Sequence, residues 1–317
     1  MTRRAGWVVA LTGATLLGVV STLRSTPSAG ALDPGGWTMI APSAVVVTGR
    51  LSHPRLAEAS GAAVSAANPG LIWTIDDSGN PPNLLAIDST GALRADLPLQ
   101  GASNVDWEEV ALGPCGAQRC VYIADTGDNA ERRTESVIYR VVEPVLRGGS
   151  GIDSRVISGV ESLRIRYPDH PHDVEAMAVT ARGEILLVSK GRSGGMLLFR
   201  IGEEAWRSTQ PALPTRIDSL AITPAGGMGR EVTGMALSPD GTRLVVRTYR
   251  DLYPFAVGEA GRLTPLGKPT ACDILGLEPQ GEGIAFIGSH RLLLTSERGL
   301  FKSGTVITLG CDPATKE

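Results

Sequence analysis

Seven acidic residues, Glu58, Asp106, Glu108, Asp173, Glu175, Glu231 and Glu282, stand at related positions in a chain of 317 residues. Carboxylates gathered around one point repel one another, so either some of them take up protons or a cation binds between them. Calcium suits such a set, because it accepts about six to eight oxygen ligands in irregular geometry. Zinc prefers His and Cys, and the four histidines show no grouping beyond His170 and His172. The same acids could instead cap strand ends or accept hydrogen bonds from neighbouring strands. With a metal in place, Glu108 or Glu175 could act as a general base toward a bound water.

A second set of polar residues follows five short apolar runs. It comprises Asp76, Asp77 and Asn80, then Asp125, Asp128 and Asn129, then Lys190, Arg192, Arg247, Arg250 and Arg298. An acidic half facing a basic half would hold an anionic group, with Lys190, Arg192 and Arg250 as its ligands. Asp125-Thr126-Gly127-Asp128-Asn129 has the composition of a calcium loop without EF-hand spacing. It reads equally as a turn whose aspartates bond to backbone amides.

These residues are tied together by an internal repeat. Ser60-Gly61-Ala62-Ala63-Val64, Glu108-Glu109-Val110-Ala111-Leu112, Glu175-Ala176-Met177-Ala178-Val179, Thr233-Gly234-Met235-Ala236-Leu237 and Glu282-Gly283-Ile284-Ala285-Phe286 align without gaps. Their first positions are 48, 67, 58 and 49 residues apart. Each segment leads into a second apolar run, and third and fourth runs follow. A unit of this size, made of short strands and Gly/Pro/Asp turns, predicts an all-β single propeller with five blades, or six if the longest interval conceals a degenerate one. The last unit runs short of chain, so the β-branched run over 44–51 is expected to complete the final blade. That closure removes a pair of exposed sheet edges. A β-sandwich with recurring strands is the alternative. Ser238-Pro239-Asp240-Gly241 reads as a tight turn, and Trp107 is expected to pack against the next blade.

The residues Asp106-Trp107-Glu108-Glu109 and Ala124-Asp125-Thr126-Gly127-Asp128-Asn129 resemble motifs of secreted bacterial β-propellers. More distantly, the acidic strand starts are similar to those of SdiA-regulated propellers and of calcium-dependent phytase-like and lactonase-like propellers. The resemblance implies a calcium-binding propeller and transfers no activity, since no phytase catalytic motif is matched residue by residue.

Composition is consistent with this reading. The chain holds 39 Gly and 21 Pro with 42 % hydrophobic residues, which excludes general disorder and favours a turn-rich fold. Arg3-Arg4, the apolar run from Ala5 to Leu23 and Ala29-Gly30-Ala31 have the layout of a secretory signal over residues 1–31. The expected division is therefore signal 1–31, linker 32–43, propeller 44–311 and tail 312–317. An uncleaved leader would be a membrane anchor. Loss of Arg3, Arg4 and Arg24 with the leader takes the formal charge from −3 to −6, which argues against nucleic acid or anionic lipid as a partner. Four cysteines in an exported chain suggest two disulfides, Cys115 with Cys120 and Cys272 with Cys311. The expectation is a secreted or cell-envelope monomer that binds calcium and holds a small molecule or protein on its top face. The alternative is a metal-dependent hydrolase of phosphoesters or lactones working at the same acidic site.

Overall fold

The computed structural model describes residues 45–149, 151–191, 194–220, 222, 229, 231–266, 278–289, 291–300 and 302–309. Twenty strands form five four-stranded antiparallel sheets. The chain opens with β1 (Val45–Leu51). Blade 1 is β2 (Ala59–Val64), β3 (Leu71–Asp76), β4 (Asn83–Asp88) and β5 (Leu93–Pro98). Blade 2 is β6 (Trp107–Cys115), β7 (Gln118–Asp125), β8 (Ser136–Val142) and β9 (Glu161–Ile165). Blade 3 is β10 (Val174–Val179), β11 (Ile185–Ser189), β12 (Leu197–Ile201) and β13 (Thr215–Ser219), and blade 4 is β14 (Val232–Leu237), β15 (Arg243–Thr248), β16 (Leu252–Val257) and β17 (Leu263–Pro265). Blade 5 takes β18 (Gln280–Ile287), β19 (Arg291–Glu297) and β20 (Gly304–Leu309), and β1 completes it by pairing with β20 from Val45 opposite Leu309 to Leu51 opposite Gly304. The inner strands β2, β6, β10, β14 and β18 touch in cyclic order, and β18 returns to β2. The fold is a five-bladed propeller; the 67-residue interval holds a longer β8–β9 connection and no sixth blade among the described residues.

The repeat has a direct packing meaning. Each inner strand stands edge-on to the central channel, so its alternating side chains serve the two blade interfaces beside it. Third-position residues fill the preceding interface: Val110 lies with blade 1 residues such as Trp73, and Met235 with blade 3 residues such as Leu186 and Val188. Fourth-position alanines abut the following one, as Ala178 does in the blade 3–4 core and Ala236 in the blade 4–5 core. A large residue at the fourth position would push adjacent blades apart, which accounts for alanine in all five units. Trp107 is fully buried in the interface of blades 1 and 2, where its indole N–H donates to Ser103 O. It therefore packs against the preceding blade instead of the following one.

Further bonds fix the ring and its turns. Ser60 Oγ donates to Glu108 O at 2.7 Å, Thr126 Oγ1 to Val174 O at 2.8 Å and Thr233 Oγ1 to Gly281 O at 3.0 Å, each linking one blade to the next. At the 238–241 turn, Gly241 has φ 71° and donates its N–H to Ser238 O. Cys115 and Cys120 form a disulfide across the β6–β7 hairpin. Cys272 and Cys311 lie outside the described residues, as does the segment read as a signal. No helix among the described residues is long and apolar enough to cross a membrane.

Candidate metal centre at the top of the channel

Side chains on a regular inner strand would point into the blade interfaces and not at the channel. The expectation that acids at i and i+2 of a strand share a side is therefore not how these carboxylates converge. A β-bulge recurs at the start of the inner strands instead. Trp107 pairs with Asp125 and Glu109 with Ala124, which leaves Glu108 as an extra residue; Glu175, Thr233 and Glu282 are extra in the same way. A bulge re-aims its side chain and ends regular pairing. The bulged acids come together with residues from the loops above them.

Asp77, Asp106 and Glu108 bring carboxylate oxygens within 4.8 Å of one another, and so do Glu108, Asp173 and Glu175. Glu108 belongs to both groups. Its side chain is nearly buried, at 7 % exposure. Asp173 Oδ1 accepts from the Asp128 N–H at 2.8 Å, and Glu175 Oε1 accepts from Lys190 Nζ at 2.5 Å. Gly127 lies against this junction: a Cβ built on it would stand 2.1 Å from Glu108 Oε1 and 2.6 Å from Asp106 Oδ2. Only glycine lets the backbone approach these carboxylates so closely.

Burial and like charge dominate the electrostatics. Burial, with Glu175 and Asp77 next, pushes Glu108 well above the usual carboxylate range. Burial and the neighbouring Asp77 and Asp173 raise Asp106 to about 6. Glu282 rises to about 8 through burial and Glu297, and Glu297 to about 8 through burial, Asp77 and Glu58. Lys190 is held above its ordinary value: burial works against its charge, but Glu175, Glu108 and Asp173 outweigh it. One ammonium thus faces five clustered carboxylates, and the donor set is all oxygen. Each of the two groups, Asp77 with Asp106 and Glu108, and Glu108 with Asp173 and Glu175, has oxygen ligands that could hold a hard divalent cation.

The remaining candidates take other places. Glu58 is exposed and accepts from Asn80 Nδ2 at 2.6 Å, while Glu282 accepts from Gln280 Nε2 at 2.9 Å; these two and Glu231 stand outside both carboxylate groups. Asp76 is buried against Arg55 at 2.8 Å, and burial, opposed by that guanidinium, raises it to about 7. In the 125–129 segment the aspartates bond to the backbone. Asp125 accepts from the N–H groups of Val105 and Asp106 and pairs with Arg133, and Asp128 Oδ2 accepts the Arg133 N–H. Asn129 is exposed. Lys190 sits inside the acidic cluster and not across from it, and Arg247 is fully buried at the blade 4–5 interface, donating to Gly283 O and pairing with Glu278. Arg250 and Arg298 are exposed, and Arg192 lies outside the described residues. Asp77, expected among the loop ligands, joins the metal-type cluster instead, and Glu297 is a further half-buried acid that the aligned repeat positions do not mark. Its position directly after Ser296, at the end of a second apolar run, was the signal available.

Glu109 was also missed. The second position of the repeat holds Gly61, Glu109, Ala176, Gly234 and Gly283, so one carboxylate stands where the others are small. Glu109 is fully buried; Oε1 accepts the Val110 N–H and Oε2 the Met235 N–H, each at 3.0 Å. It satisfies otherwise unpaired strand-edge donors from blades 2 and 4. Gly61 and Gly234 make room for it: built Cβ atoms would lie 2.7 Å from Oε1 and 3.1 Å from Oε2. Glu109 plugs the channel at its waist. Below it a cavity of about 490 Å³ opens to the other face, lined by third- to fifth-position residues including Met177, Met235, Leu237 and Phe286.

No family model and no curated protein matches the sequence. Among solved structures the chain is similar to the PQQ-bound aldose sugar dehydrogenase of Streptomyces coelicolor, at 13 % identity and TM-score 0.47, covering 83 % of this chain and 97 % of that one. It is also similar to the calcium-binding protein regucalcin of Agrobacterium tumefaciens, at 13 % identity and TM-score 0.43, covering 84 % and 94 %. A third is the virginiamycin B lyase of Staphylococcus aureus, at 14 % identity and TM-score 0.40, covering 88 % and 72 %.

Proposed function

We propose that the protein is an exported calcium-binding propeller whose top face holds a small-molecule or protein ligand in the cell envelope. The observation that carries this reading is Glu108: a nearly buried carboxylate shared by two three-carboxylate groups. Gathering buried acids with only Lys190 to offset them is costly, and a cation supplies the opposing charge. Calcium at this point would draw on Asp77, Asp106, Glu108, Asp173 and Glu175, with Lys190 holding Glu175 in place. The bulges and the Gly127 backbone fix these oxygens before any ion arrives, which limits the ordering that binding must impose. The protein acts as a monomer and binds no nucleic acid, in keeping with its acidic balance.

Calorimetric titration of calcium chloride into chelator-treated protein tests this, together with a thermal melt. Wild type should bind calcium and melt higher with it, and Glu108→Gln should lose both effects. No heat and no shift for the wild type would overturn the reading.

A further inference from the structure

We propose that Asp169, His170 and His172 form a second metal site, for zinc, on the β9–β10 loop. The two imidazoles flank Pro171, and their ring centroids lie 4.2 Å apart. His170 Nδ1 is 2.8 Å from Pro171 O. A carbonyl can only accept, so Nδ1 carries a proton, and in the neutral ring Nε2 then keeps its lone pair for a metal. That free nitrogen lies 3.9 Å from Asp169 Oδ2, and His172 Nε2 lies 3.1 Å from Asp169 Oδ1. Zinc bonds of about 2.0–2.1 Å at tetrahedral angles put ligand atoms about 3.3 Å apart, between these two separations. The ion would sit among the three atoms, with His172 remaining neutral by carrying its proton on Nδ1.

The surroundings favour a built site over a chance surface cluster. His172 is only 2 % exposed and is held edge-on to Tyr167 and against Phe199, with both centroid distances 4.9 Å. The Nδ1 bond of His170 is the kind of outer contact that fixes tautomer and orientation in zinc-ligating histidines. Asp169 and His170 are half-exposed, so a fourth coordination position opens to solvent. Two imidazoles and one carboxylate suit a borderline transition cation, whereas the all-oxygen pocket that begins at the adjacent Asp173 suits calcium. The two sites would share one rim and select different metals.

The test is zinc chloride titration of the chelator-treated full-length protein, with cobalt(II) absorption in the visible as a second readout. Wild type should bind zinc at micromolar concentration and give the intense bands of tetrahedral cobalt. His170→Ala, at an exposed position and with Tyr167 and Phe199 still holding His172, should weaken zinc at least about 10-fold while its metal-free melting temperature changes little and its calcium titration stays unchanged. Excess calcium should not displace the zinc. Absence of zinc binding by the wild type, wild-type affinity in His170→Ala, or displacement by calcium would each overturn the proposal.

Discussion

Replacing Glu109 by alanine probes the waist of the ring most directly. The carboxylate accepts the N–H groups of Val110 and Met235, and alanine removes the acceptor of both at once. Each stranded buried donor costs about 1–3 kcal/mol. A water entering the space left behind can recover one of them. The expected loss is about 1–6 kcal/mol, which lowers the melting temperature by several degrees, on the order of 10 °C at the upper end. Glu109→Gln keeps the volume and one acceptor oxygen, so it should fall between wild type and the alanine variant. Urea unfolding followed by tryptophan fluorescence reads all three proteins, with the buried Trp73 and Trp107 in blades 1 and 2 as reporters. An alanine variant within about 0.5 kcal/mol of wild type, inside the range of an ordinary surface substitution, would refute the account of the waist. A glutamine variant as unstable as alanine would show that charge, and not donor satisfaction, sets the effect.

Calcium affinity should rise with pH between about 6 and 8, because burial raises Asp106 to about 6 and Glu175 to about 8, and protonated ligands must release protons as the cation binds; calorimetry in buffers of different ionisation enthalpy counts those protons. Gly127→Ala should weaken calcium at least about 10-fold with little loss of stability, since its Cβ would displace Glu108 and Asp106; unchanged affinity would remove Gly127 from the site. Asp76 is raised to about 7 in the fold, so its contribution to stability is full below about pH 4 and is lost as pH rises through 7, on the order of 4 kcal/mol in all. Asp76→Asn should flatten that slope in denaturant titrations from pH 4 to 8, and an unchanged slope would assign it to other acids. Breaking the Cys115–Cys120 bridge with paired serines should cost about 2 kcal/mol, the chain-entropy value for so short a loop; calorimetric unfolding checks it.

The repeat made the architecture legible because each unit must solve the same packing problem. Alanine at the fourth position and an apolar residue at the third recur, since both faces of an inner strand are buried between blades. The strand over 44–51 could be assigned to the last blade from chain length alone. What the pattern could not convey was direction. Acids at the first position read as channel-lining residues of a regular strand, whereas a bulge turns Glu108, Glu175 and Glu282 out of register, and a bulge has no sequence signal of its own here. Basic residues were hidden for a related reason. Lys190 and Arg247 follow comparable apolar runs, yet one ends beside Glu175 and the other inside a blade interface, a difference set by long-range partners. Glu109 could have been found by asking why one of five small residues is replaced by a carboxylate.

The pairing of β1 with β20 has a kinetic consequence. Val45 meets Leu309 only after the four intervening blades have been made, so the first strand of the ring is the last to find its partner. Joining segments some 260 residues apart carries a loop-closure cost of about 5 kcal/mol beyond the constant term, which intermediates must meet before ring closure rewards it. Until then the outer edge of β20 and both edges of β1 stay open to pairing with other chains. A permuted gene that begins at blade 1 and places β1 after β20 through a short linker would turn this distant contact into a local hairpin. It should speed the final folding step and reduce aggregation while leaving the finished ring the same.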